Sequence, residues 1–176
     1  MSRADVLAYI NTRDHRLMRR VNGWRAPQWI RFWMLWATRG GDGWLWSAMG
    51  AIILLFGGDE RFATVGASAL AVSLGILLFI NLKRICNRSR PCSIEPHCWA
   101  HLLPPDQFSF PSGHSITAFA VATPMCLHYP TLAAGLVFCA LSIALSRIIL
   151  GLHFLSDVLA GCAIGFGLGV FAYAIF

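Results

Sequence analysis

Long stretches without a single charged side chain rule out most folds for this chain. Residues 62–82 hold none, and 131–146 and 158–176 are alike in this. An uncharged apolar run of about 18 residues or more is long enough to cross the hydrocarbon core of a bilayer as a helix. Inside that core each backbone amide and carbonyl must find its partner within the protein, which a helix manages by itself. The chain is 57% hydrophobic and 12% charged, about half the usual charged share. A soluble core does not require that imbalance. The expectation is an all-α, polytopic membrane bundle. So apolar a chain is a poor nucleic-acid binder despite its net charge of +6.

Punctuation between the runs predicts five transmembrane helices, at about 43–56, 62–82, 111–128, 131–150 and 153–176. Gly57-Gly58-Asp59-Glu60-Arg61, Tyr129-Pro130 and Gly151 mark breaks between them. Ahead of the spans, Val6, Leu7, Ile10, Leu17, Met18 and Val21 recur among charges. That pattern predicts an amphipathic helix lying in the membrane interface. Trp29, Trp33, Trp36, Trp44 and Trp46 follow, and tryptophan favours the headgroup level. Eight of the thirteen arginines precede the first clear span and read as a segment facing lipid headgroups. Met1 to Arg20 lacks the apolar centre of a cleavable signal, so the first spans are expected to direct insertion. One membrane-embedded domain, 1–176, is expected. It has an interfacial segment at 1–42 and a polar loop at about 83–111 on the side of the site.

From Gln107 onward the only charged side chains are Arg147 and Asp157. Charge in such surroundings is costly and marks function by default. His153 lies between them. Spans alternate in direction, so the end of the second, the start of the third, the end of the fourth and the start of the fifth share one face. Those places carry Lys83 and Arg90, Ser112 and His114, Arg147, then His153 and Asp157. Three permanent cations on one face call for an anion, and the guanidinium fork suits phosphate oxygens. Ser112-Gly113 at a helix start adds backbone amides and the helix dipole. His153 and Asp157, four apart, share a helix face. A carboxylate on one imidazole nitrogen leaves the other as a nucleophile, and His114 can protonate a departing oxygen. A histidine at a span end is ordinarily just an interfacial polar group, and His128, His97 and His101 fit that description. Arg84 and Arg88 read as loop or headgroup contacts.

Lys83-x6-Arg90-Pro91, Pro111-Ser112-Gly113-His114 and Ser146-Arg147-x5-His153-x3-Asp157 together resemble the three-part signature of the type 2 phosphatidic acid phosphatase superfamily. That superfamily also includes vanadium-dependent haloperoxidases and glucose-6-phosphatase. The resemblance implies a phosphatase needing no metal or other cofactor, with a phosphohistidine on His153, Asp157 orienting it and His114 as general acid. It assigns Lys83, Arg90, Ser112, Gly113 and Arg147 to the phosphate. It also implies a site on the periplasmic face of the bacterial inner membrane. With five spans, that would place the arginine-rich N-terminus outside, against the positive-inside tendency. The expected partner is a lipid phosphate in the bilayer: undecaprenyl pyrophosphate, phosphatidylglycerophosphate or phosphatidic acid. A lipid A phosphatase or a lipid-to-lipid phosphotransferase would use the same site, and a non-catalytic binder of anionic lipids would need no paired histidines. Of the loop cysteines Cys86, Cys92 and Cys98, Cys92–Cys98 is the favoured pair in an oxidising compartment.

Overall fold

The computed structural model describes residues 3–95 and 107–176. They form eight α-helices: α1 (Arg3–Asn22), α2 (Gln28–Gly40), α3 (Trp44–Phe56), α4 (Arg61–Cys86), α5 (Pro91–Ile94), α6 (Gly113–His128), α7 (Ala133–Ile149) and α8 (Leu155–Tyr173). The all-α expectation holds. Cys98, His97 and His101 lie outside the described residues, and with them the expected Cys92–Cys98 pairing.

Helix α6 is the hub, packed by α4, α7 and α8. Its inward positions are small: Ala118, Ala120 and Ala122 are buried beside Ile116, Val121 and Met125. Lipid tails are as apolar as leucine, so helices in a bilayer associate by close van der Waals approach rather than by hydrophobic collapse. Helix α8 meets that need with Gly161, Gly165 and Gly169, spaced by four on one face. A Cβ at Gly161 would stand 2.7 Å from the Ser112 carbonyl oxygen, and one at Gly169 would stand 2.6 Å from Thr123 Cβ. The outward faces carry Leu77, Phe138, Leu141, Leu159, Phe166 and Phe171, all exposed, as a lipid-facing surface requires.

Among the described residues, three helical segments are long and apolar enough to cross a membrane: Gly58–Cys86, Pro130–Ile149 and Leu155–Tyr173. Five spans are thus not shown, because α3 and α6, the first and third of the expected five, fall short of that length. Helix α3 has 13 residues and α6 has 16; at about 1.5 Å per residue these rise roughly 20 and 24 Å, short of the ~30 Å hydrocarbon core. Gly57 and Tyr129-Pro130 cut them off.

The N-terminal amphipathic helix is present as α1, and the tryptophan-rich stretch forms a second helix, α2. Both pack inward. Helix α1 lies against α7 and α8, and α2 lies along α7, where Met34 joins Leu150 and Leu152 in a small core. At the far end of the bundle Tyr129 donates a 2.7 Å hydrogen bond to the Gly57 carbonyl. His128 lies 3.2 Å from Glu60 there, consistent with its reading as a structural polar residue.

Candidate active site

The end of α7 and the start of α8 are joined by a tight turn. Gly151 adopts φ +69°, a left-handed conformation that glycine takes without the steric cost of a Cβ. The turn folds back on Arg147, whose carbonyl accepts from the amides of both Leu152 and His153 at 3.0 Å. The cation and the histidine are thus tied by backbone. From the other side, the segment after α4 pairs with residues 107–109 through the Ser89–Phe108 bridge and the Ser109 amide bonded to the Arg88 carbonyl at 2.8 Å. That pairing brings the Ser109 carbonyl oxygen to 2.7 Å from His153 Nδ1.

The imidazole tautomer follows from its neighbours. A carbonyl can only accept, so Nδ1 carries the proton. On the other side Arg90 Nη1 lies 3.1 Å from His153 Nε2, and a guanidinium can only donate, so Nε2 presents a lone pair. The two constraints agree. His153 is 3% exposed. Burial, with Arg147 and Arg90 nearby, drives its pKa down from 6.5 to about 3 against the opposing pull of Asp157. The ring is neutral at neutral pH. Because the folded pKa lies below the unfolded one, this group's contribution is fully present above about pH 6.5 and is lost as pH falls toward about 3. His153→Gln is therefore expected to flatten the fall in unfolding temperature between pH 6.5 and 4 in detergent micelles; an unchanged slope would refute that.

A cavity of about 300 Å³ opens in front of the ring. Lys83, Arg90, Gly113, His114, Arg147 and His153 all line it, with Phe79, Ile76, Gly41, Asp42 and Thr117. The structure thus gathers six of the sequence-derived candidates around one space. Lys83 is nearly buried, its ammonium 5.3 Å from the Phe79 ring centroid. Gly113 begins α6, where the first-turn amides have no intrahelical acceptor.

Ser112 and Asp157 do not line this cavity. Ser112 is fully buried. Its hydroxyl accepts from Ser115 at 2.9 Å, and its amide bonds the Asp157 carbonyl at 3.1 Å. Asp157 Oδ2 sits 3.7 Å from His153 Nδ1, beyond a hydrogen bond, and accepts instead from the Phe154 amide at 2.8 Å. Its Oδ1 takes Arg88 Nη1 at 2.6 Å. The direct acceptor for His153 is a backbone carbonyl, and Asp157 pins the turn that carries the ring.

Four side chains beyond the motifs complete the site. Thr38 on α2 accepts from Arg147 Nη1. Asp42, in the α2–α3 turn, lies 2.9 Å from His114 Nε2. Arg88 and Asp14 stand behind Asp157. Gly41 matters through space alone. A Cβ there would meet His114 Cδ2 at 2.7 Å and Ile143 Cγ2 at 2.8 Å. Gly41→Ala is expected to displace His114 and lower kcat about 100-fold, the effect of a misplacement near 1 Å; wild-type kcat in that variant would contradict the placement. Among the described residues no group of three His, Cys, Asp or Glu side chains is arranged to hold a metal.

Beside this cavity, sharing Gly41, Asp42, Ile76 and Thr117 with it, lies a space of about 650 Å³ between α3, α4 and α6. Its walls include Trp46, Leu54, Val65, Val72, Val121 and Met125.

A family model described as the PAP2 superfamily matches residues 64–176. The chain is 31% identical over 140 residues to a lipid A 1-phosphatase of Rhizobium johnstonii, covering 68% of this chain and 57% of that one. It is 35% identical over 131 residues to the decaprenylphosphoryl-5-phosphoribose phosphatase of Mycobacterium tuberculosis, covering 72% of this chain and 68% of the relative. The chain spans about half the length of the rhizobial relatives it matches. The crystal structure of Aquifex aeolicus LpxE superposes with a TM-score of 0.76 at 31% identity, covering 90% of this chain and 93% of that one.

Proposed function

The chain belongs to the PAP2 superfamily, and from that premise we propose that it removes a phosphate from a membrane lipid through a phosphohistidine on His153. The observation that carries this reading is the imidazole itself: neutral, buried, with the Nε2 lone pair facing a cavity walled by Lys83, Arg90 and Arg147. An incoming phosphoryl group draws Arg90 from the ring onto its own oxygens. Nε2 then attacks phosphorus in line, and the bond from phosphorus to the lipid oxygen breaks. His114, which takes up a proton as the phosphate dianion binds among the cations, gives that proton to the oxygen, and Asp42, 2.9 Å from its Nε2, favours the protonated ring. Water next attacks the phosphohistidine, His114 takes the water's proton, and inorganic phosphate leaves with His153 restored. The three cations and the α6 amides hold the equatorial oxygens through both steps.

The lipid character of the substrate is supported by the apolar space adjoining the phosphate cavity. Undecaprenyl pyrophosphate, phosphatidylglycerophosphate and phosphatidic acid are candidates, and lipid A joins them from the names of the rhizobial relatives. A phosphotransferase would differ only in the acceptor for the second step. The site is read as facing the periplasm of a bacterial inner membrane. Purified protein in detergent, given a panel of these lipids with chelator present, should release inorganic phosphate from at least one. No release from any of them, or strict dependence on added magnesium, would overturn the proposal.

A further inference from the structure

The N-terminal helix α1 reaches the catalytic turn through one side chain. Asp14 is 4% exposed although α1 is otherwise largely solvent- or lipid-facing. Its Oδ1 accepts from the Ser156 amide at 3.1 Å, one of the first-turn amides of α8 that no helix bond can satisfy. Its Oδ2 accepts from the Ser156 hydroxyl and from Arg88 Nη2 at 2.6 Å. Arg88 spends its other arm on the same turn. Nη1 donates to Asp157 Oδ1 at 2.6 Å and to Ser156 Oγ at 2.7 Å, and the guanidinium carbon lies 4.2 Å from the Phe154 ring centroid. His15, next to Asp14, packs its ring 5.1 Å from that of Phe154. Phe154 follows His153 directly. The segment from His153 to Asp157 is therefore held from above by a carboxylate and a guanidinium that never touch the phosphate cavity.

We infer that Asp14 and Arg88 are positioning residues for His153, acting through Asp157 and the start of α8. The geometry shows what each does. Arg88 divides one planar fork between two carboxylates, Asp14 and Asp157. Asp14 anchors the fork, so that Asp157 receives a single guanidinium arm and keeps Oδ2 for the Phe154 amide. That amide bond sets the entry of the chain into α8 and with it the direction of the imidazole. Remove the charge at Asp14 and Arg88 has one carboxylate left. Its second arm is then available to Asp157, Oδ2 is pulled from Phe154, and Nε2 swings off the line of attack. Asp14 lies ahead of residues 64–176, the part that the family model matches.

The proposal rests on the phosphatase reading of the same site, and Asp14→Asn tests it. Asparagine keeps the shape and can still accept from the Ser156 amide, so the α8 cap survives while the anchor charge goes. With phosphatidic acid in mixed micelles, or whichever lipid of the panel is turned over fastest, kcat should fall about tenfold or more with KM within about twofold, since phosphate binding is untouched. Arg88→Lys should fall at least as far, because a point charge cannot serve two carboxylates. The double variant should fall no further than Arg88→Lys alone. Wild-type kcat in Asp14→Asn, a rise in KM alone, or losses that multiply in the double variant would each overturn the proposal. Histidine-directed modification by diethyl pyrocarbonate, mapped by peptide mass, supplies a readout that does not depend on turnover. His153 should be protected in the wild type and modified faster in Asp14→Asn, and equal rates would refute the positioning role even if no lipid of the panel were a substrate.

Discussion

Replacing His153 with alanine is expected to lower kcat by about 10⁴-fold or more, the scale seen when a covalent nucleophile is lost from an intact site. Nothing else in the cavity can take its place. His114 and Asp42 are engaged with each other, the Thr117 hydroxyl donates to the His114 carbonyl, and the lysine and arginines cannot attack phosphorus. The variant should also fail to hold a covalent phosphate that is labile in acid and stable in base, whereas wild type quenched during turnover should carry one. Wild-type turnover in His153→Ala would remove the nucleophile assignment. A variant still phosphorylated on another residue would do the same.

The second large effect is structural. Gly165→Val should destabilise the protein by about 3 kcal/mol, the upper part of the usual range for overpacking. A Cβ at that position would run into the Ile116 carbonyl oxygen and come within 3.0 Å of Phe119 Cβ and 3.1 Å of the Ala120 amide nitrogen. Two of those three atoms are backbone, so no rotamer change in α6 makes room, and α6 and α8 must separate. Gly167 supplies the control, since a Cβ there meets nothing within 4 Å. Thermal unfolding in detergent should show a clear drop for Gly165→Val and little change for Gly167→Val. Equal midpoints would mean that the glycine face does not set the helix spacing. The consequence reaches the site, because Gly161 on the same face packs against the carbonyl of Ser112, at the start of the helix that carries His114.

Much of this site can be read before any coordinates. His114, Arg147 and His153 stand out because charged and polar groups are scarce in their part of the chain; Lys83 and Arg90 stand out from the other cations of their loop through the Lys83-x6-Arg90-Pro91 motif, and alternation of span direction brings all five to one face. Asp14, Arg88, Thr38 and Asp42 escape the same reasoning because polar residues are ordinary where they occur. A signal for Asp14 does exist. Ile10, Asp14 and Met18 are spaced by four, so Asp14 is the acid on the apolar face of α1, and such a residue seeks a buried partner. Sequence alone does not name its partner, since Arg88 lies far away along the chain and reads as one of several loop cations. The role of Asp157 also needed coordinates. Spacing by four places it beside His153, but only the structure shows the Ser109 carbonyl accepting from Nδ1 and the Phe154 amide donating to Oδ2 of Asp157. The count of spans is legible only in part, for a plainer reason. Apolarity marks α3 and α6 as membrane material, but glycine and proline end them before they reach full length.

On the proposed mechanism, the resting contact between Arg90 and His153 Nε2 makes the histidine selective about what it meets. A guanidinium seated on the lone pair is drawn away by a group that offers it more negative charge, and a phosphate monoester dianion does so. A neutral phosphotriester does not. Electrophiles without charge, including organophosphate inhibitors that disable serine hydrolases, would therefore find this histidine masked. In that mechanism the arginine proposed to stabilise the reaction is also its safety catch, admitting phosphorus only when it arrives with its charge.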